Sequence, residues 1–207
     1  MDFDLPESGF VAIAGPNGAG KSTLVGILAG VKRNYGGSCR LGDREVREYG
    51  RREFARRVAY LPQSVSTAHP FTVAEVVAMG RAPHANGWSV SEDDRAAAFD
   101  AMRETDVASL AERDFRSLSG GERQRVLLAA AIAQQAEVLL LDEPATFLDI
   151  GHQLDLYRLL SEFAKQRLVV AVMHDLNHVL RWANQVLLMH GGKLVSLGAP
   201  ATVLADS

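Results

Sequence analysis

Disulfides are excluded first, because Cys39 is the only cysteine in the 207 residues and nothing else points to an oxidising compartment. Long apolar runs are missing as well. The longest, around Val126 to Ala133 and Val138 to Leu141, fall well short of the roughly 20 residues that a membrane span needs, so any membrane role is expected to come through partners. The first residues, Met1 to Glu7, lack the basic region and apolar stretch of a signal peptide, which leaves the cytosol as the default compartment. Charge of one sign is absent too. With a formal net charge of -3 and a pI near 6.1, the chain has no overall basic character of the kind a general nucleic-acid binder shows. The local cluster Arg51, Arg52, Arg56 and Arg57 reads as the solvated face of a short helix. No internal repeat or low-complexity tract is present, and the length suits one α/β domain with a small insert.

What is present is alternation. Phe10 to Ala14 is a short apolar run followed by a glycine-rich loop and a helix from Ser22 to Ala29. A short strand is expected at Ser38 to Leu41, and another at Val58 to Leu61, stopped by Pro62. From Gln63 to about Ser117 the character turns helical, with pieces at Thr72 to Gly80, Ser91 to Thr105 and Val107 to Ala111. Alternation resumes with helix Gly121 to Gln134, strand Val138 to Leu141, helix His152 to Ala164, strand Leu168 to Met173 and helix Asp175 to Ala183. A hairpin over Val186 to Leu197, turning at Gly191-Gly192, follows. This pattern implies a mostly parallel sheet flanked by helices on both faces.

Three segments carry chemistry. Gly15-Pro16-Asn17-Gly18-Ala19-Gly20-Lys21-Ser22 fits G-x-x-x-x-G-K-[ST], whose glycines let backbone N–H groups face phosphate oxygens. Lys21 would bridge the β- and γ-phosphates, and Ser22 would ligate Mg²⁺. The run Val138 to Leu141 delivers Asp142 and Glu143 to a strand's carboxyl end, where Asp142 suits Mg²⁺ and Glu143 suits a general base. Ser119-Gly120-Gly121 opens a helix; on physical grounds it is either a second phosphate site or an ordinary capped start.

Leu118 to Arg125 resembles the signature motif of ATP-binding cassette (ABC) ATPases, and Gly15 to Thr23 resembles their Walker A motif. Leu61-Pro62-Gln63 resembles the Q-loop, Thr146-Phe147-Leu148-Asp149 the D-loop, and His174 the switch histidine. The likeness runs from about Phe10 to Pro200 with the motifs in order. It implies a P-loop NTPase fold whose nucleotide core spans 1–62 and 118–207, with a helical subdomain at 63–117. It also implies a homodimer in which each ATP lies between Gly15–Thr23 of one subunit and Ser119, Gly120 and Gly121 of the other, with Asp149 at the seam. On that resemblance Gln63 contacts Mg²⁺ and the attacking water, and His174 aligns water and γ-phosphate. Integral membrane permease subunits, and indirectly a periplasmic or surface substrate-binding protein, are the implied partners, at the cytoplasmic face of the inner membrane.

Thr72 to His84, Ala145 to Gln153 and His174 to His178 look most like importers of iron(III)-siderophores, with haem and cobalamin systems close behind. A soluble ABC-type ATPase, or a P-loop kinase for a small metabolite, is the alternative outside transport. Relatives usually carry an adenine-stacking aromatic some twenty-odd residues before the Walker A motif, whereas fourteen residues precede Gly15 here, and relatives commonly continue beyond the C-terminal hairpin. The adenine-binding strand region is therefore expected to be missing, the C-terminus short, and ATP affinity reduced. His174 and His178 lie four apart, but Asp175 stands where the metal-binding H-E-x-x-H pattern has glutamate. His69, His84, His152 and His190 read as solvated or capping groups, and Trp88 and Trp182 as packing residues.

Overall fold

The computed structural model describes residues 1–65, 67, 69–85 and 91–205. Trp88 lies outside them. In chain order the elements are β1 (Gly9–Ala14), α1 (Lys21–Leu28), β2 (Arg40–Leu41), β3 (Arg44–Glu45), α2 (Arg51–Arg57), β4 (Val58–Leu61), α3 (Val73–Met79) and α4 (Glu92–Glu104). They continue with α5 (Gly120–Ala133), β5 (Val138–Leu141), α6 (Ile150–Ala164), β6 (Leu168–Val172), α7 (Leu176–Trp182), β7 (Gln185–His190), β8 (Lys193–Gly198) and α8 (Pro200–Ala205).

Six strands form one sheet in the order β4-β5-β6-β1-β7-β8. All neighbours are parallel except the β7–β8 hairpin, so the mostly parallel α/β architecture expected from the alternation is the one observed. β1 lies inside the sheet between β6 and β7, while β4 and β8 are its edges. A separate two-stranded antiparallel ladder joins β2 to β3.

Both faces of the sheet are covered, which is why its central strands read as continuous apolar runs. Period-two alternation sends Phe10, Ala12, Ala14, Leu139, Leu141, Val169 and Ala171 into one core, shared with Val126 and Ala129 of α5 and with Leu156 and Leu160 of α6. Val11, Ile13, Val138, Leu140, Val170 and Val172 enter the other, with Leu24 and Val25 of α1 and Phe54 of α2. Lone helices of this length are marginal in water, and burial against the sheet is what holds them.

Helices α3, α4 and α5 pack together beside this layer through Val73, Val77, Ala98, Met102 and Leu128. Their starts carry the expected chemistry. Thr72 Oγ1 accepts from Glu75 N at 3.2 Å, and Ser91 Oγ accepts from Asp94 N at 3.1 Å. At Gly80 the chain passes so close to Ala130 O of α5 that any Cβ would collide with it.

A buried ion pair locks the three helices. Arg81 Nε donates to Asp94 Oδ1 at 2.8 Å, and its other arm donates to Ala133 O at 2.7 Å and Gln135 Oε1 at 3.0 Å. The basic cluster on α2 is likewise engaged. Arg52 and Arg56 donate to Pro83 O at 3.0 and 2.8 Å, and Arg57 pairs with Glu137 at 2.8 Å. Three of the four guanidiniums thus hold the segment after α3, or the approach to β5, against α2.

Candidate functional site

Strand order explains the site. The chain leaves β4 toward Gln63, β5 at Asp142 and Glu143, β6 toward His174, and β1 at Gly15, and these four strands are consecutive neighbours. Four short segments distant in sequence therefore meet at one carboxyl edge of a parallel sheet, where such folds place ligands. Because β5 lies between β4 and β6, Glu143 is set between Gln63 and His174.

The phosphate loop needs its glycines. Gly15 has φ 143°, and a Cβ there would collide with Met189 O of β7. Gly18 and Gly20 have φ 77° and 95°, conformations that L side chains rarely adopt. Lys21 opens α1 with its side chain folded back over the loop, where Nζ donates to Gly15 O at 2.9 Å and Pro16 O at 3.0 Å. Lys21 is only 6 % exposed, so its charge is fixed at the mouth of the loop by carbonyl dipoles, with one of three ammonium protons still available.

Two carboxylates separate at the end of β5. Glu143 has φ 53°, in the left-handed region, and this turn sends successive side chains to different partners. Asp142 is 4 % exposed and accepts from Ser22 Oγ at 3.1 Å through Oδ1. Burial pushes its carboxyl above the ordinary range; the Ser22 bond opposes this, and the neighbouring Glu143 charge adds to it. Glu143 Oε2 accepts from Gln63 Nε2 at 2.8 Å, and Oε1 lies 2.6 Å from His174 Nε2. Burial is the largest single influence on Glu143 and pushes it up. His174, Thr146 and Gln63 together outweigh burial and hold it below the ordinary carboxylate value.

A cleft of about 660 Å³ is lined by Asn17, Gly18, Gly20, Lys21, Ser22, Thr23, Gln63, Glu143 and His174. Nine sequence-predicted site residues thus share one cavity, with Asp142 reaching it through Ser22. Cation, hydroxyl, carboxylate and imidazole converge in one cleft, an arrangement that suits phosphoryl transfer.

Ser119, Gly120, Gly121 and Asp149 do not line that cleft. Ser119 caps α5, accepting from Glu122 N at 3.3 Å while Glu122 Oε2 accepts from Ser119 N at 2.7 Å. A Cβ on Gly120 would lie 3.4 Å from Cβ of Phe147 and one on Gly121 3.4 Å from Phe147 O, ordinary contact distances that the packing tolerates. Asp149 caps α6, accepting from His152 N at 3.0 Å and pairing with the His152 ring at 2.7 Å.

Thr146 is a site residue whose role the sequence did not show. Its hydroxyl lies 3.1 Å from Glu143 O and 3.3 Å from Glu143 Oε2, steadying the strained turn and the carboxylate together. The spacing from Glu143, three residues, was the available signal. His178 lies against Tyr157 in a tilted ring contact with centroids 4.8 Å apart, and Trp182 packs against the larger core. Among the described residues no group of three or more His, Cys, Asp or Glu could hold a metal ion by itself.

Known proteins resemble this chain in sequence and fold. The family model described as ABC transporter matches residues 1–146. The ferric enterobactin transport ATP-binding protein FepC of Escherichia coli strain K12 is 40% identical over 209 residues, covering 99% of this chain and 76% of that protein. The hemin import ATP-binding protein HmuV of Streptomyces coelicolor is 46% identical over 207 residues, covering 100% of this chain and 74% of that protein. A solved ABC transporter, described as of metal-chelate type and inward-facing, superposes with a TM-score of 0.84 at 33% identity, covering 99% of this chain and 77% of its own. The chain belongs to the ABC transporter family, as one of its ATPase cassettes.

Proposed function

We propose that this chain binds and hydrolyses ATP to drive import of a metal chelate, with an iron(III)-siderophore as cargo. The observation that carries the hydrolytic reading is Glu143, a carboxylate kept ionised between Gln63 and His174 in the same cleft as Lys21. Glu143 is the general base that takes a proton from the attacking water, and His174 and Gln63 hold that carboxylate in line. Lys21 and the backbone N–H groups of Gly15–Thr23 bind the phosphates. The oxygens of Ser22, Asp142 and Gln63 form the hard donor set that suits Mg²⁺. When bound, the ion would neutralise charge on the β- and γ-phosphates.

Ser119, Gly120 and Gly121 serve the partner subunit's ATP, and Asp149 lies at the seam of a head-to-tail homodimer. Exposed apolar Phe147 and Ile150 flanking that loop, at 55% and 76% exposure, support the seam. Residues 63–117 form the helical part that meets the permease, and 1–62 with 118–207 form the nucleotide core. The chain works at the cytoplasmic face of the inner membrane beneath permease subunits, served indirectly by a substrate-binding protein. Among the described residues no helix is long and apolar enough to cross a membrane. Haem is the second cargo, favoured by the 46% identity to a hemin-import relative.

Mixing Lys21→Ala with Ser119→Arg subunits tests the shared site. The mixed dimer should regain one intact composite site, and with it ATP held between subunits and turnover, where neither pure variant pair has one. A mixture that stays inert would count against sharing.

A further inference from the structure

Lys32 lies outside every motif above, yet its exposed ammonium reaches Thr23, one of the residues lining the cleft. Its Nζ donates to Thr23 Oγ1 at 3.2 Å, nine residues back along the chain. Two features build this contact. The N–H groups of Val31 and Lys32 both bond to Gly26 O, at 3.0 and 2.8 Å, which turns the chain back against α1. Gly26 then leaves a channel for the lysine stem: a Cβ there would lie 3.3 Å from both Cγ and Cδ of Lys32. The stem crosses the helix over a residue without a side chain and places the charge one turn up, at Thr23.

Thr23 occupies a particular place. The cleft that ends at Glu143 and His174 adjoins a second, larger groove, and Gly20 and Thr23 are the two residues common to both. With Glu143 at the γ-phosphate end of a nucleotide held by Lys21, the junction of the two grooves at Thr23 is where the nucleoside-proximal phosphate would pass. Lysine can only donate, so the Thr23 oxygen accepts from Lys32 and its own proton remains free to donate into the cleft. A cation behind a hydroxyl also polarises it, strengthening that second bond.

We propose that Lys32 is a positioning residue for nucleotide binding, acting through Thr23 to bind the nucleoside-proximal phosphate of ATP and ADP alike. This rests on the nucleotide lying in the Lys21 cleft. The test is calorimetric titration of the full chain with Mg²⁺-ATP and with Mg²⁺-ADP. Lys32→Met should weaken both nucleotides about 3- to 10-fold and by equal factors, because both carry that phosphate. Lys32→Arg should restore most of the loss, and the loss should shrink as salt is raised. In a Thr23→Ala background Lys32→Met should cost nothing further. Wild-type affinity in Lys32→Met, or an undiminished loss in the Thr23→Ala background, overturns the proposal. Lys21→Met separates the two levels. If it weakens ATP binding while Lys32→Met does not, only the role of Lys32 falls; if neither variant has an effect, the nucleotide is not in this cleft.

Discussion

His174 Nε2 and Glu143 Oε1 lie 2.6 Å apart, a contact between the ends of two adjacent parallel strands. The tautomer with its proton on Nε2 donates to the carboxylate, so the imidazole both aims Glu143 and opposes the effect of its burial.

His174→Ala is therefore expected to do more than slow turnover. Loss of alignment should cost about 100-fold or more in rate. Without the imidazole, burial acts on Glu143 against only Thr146 and Gln63, so its pKa rises. A base must be unprotonated to work, and the acid limb of the pH–rate profile should move to higher pH. A lower rate with an unmoved limb would contradict this role.

Two glycines of the phosphate loop should respond differently to the same change. Gly18 has φ 77° with nothing within 4 Å of an added Cβ, so Gly18→Ala carries backbone strain alone, about 1 kcal/mol. Gly15→Ala adds a collision with Met189 O and should cost at least about 2 kcal/mol, a fall in melting temperature of about 4–8 °C. Equal melting temperatures for the two variants would show that the loop relaxes away from β7.

The Arg81–Asp94 pair should appear in stability. Ser91 first, then Arg81, hold the Asp94 carboxyl below its ordinary 3.8. A carboxylate lowered in the folded state contributes stability that is complete above its unfolded pKa and lost as pH falls through the folded value. Arg81→Met should cost about 3 kcal/mol at neutral pH, roughly 6–12 °C in melting temperature. The gap from the parent should narrow below about pH 4. A gap independent of pH would assign the loss to packing.

Local sequence made much of this legible. Val58–Leu61 and Val138–Leu141 are the observed strands, because Pro62 and Asp142 end their apolar runs. The placement of Lys21 and Ser22 after β1, and of Asp142 and Glu143 at the end of β5, was readable because strand, loop and helix follow one another within each unit. Features that depend on how elements pack were hidden. Nothing local joins Arg81 to Ala133 or Gln135, or makes Gly15 answer to Met189. The strand expected at Ser38 to Leu41 is present as the shorter β2, its partner β3 is too short for periodicity, and α8 begins at Pro200, a first-turn proline that was an available signal. Ser119 remains double-valued within one chain, because capping of α5 already accounts for it, while no contact within the chain calls for glycine at 120 or 121.

The most direct measurement is ATP turnover beside ATP binding in Glu143→Gln. Glutamine keeps the shape and can still meet Gln63 and His174, but it cannot accept a proton from water. Binding should persist, hydrolysis should fall by about 100-fold or more, and ATP should trap the subunits as a dimer. Turnover at the parent rate with binding intact would remove Glu143 as the base.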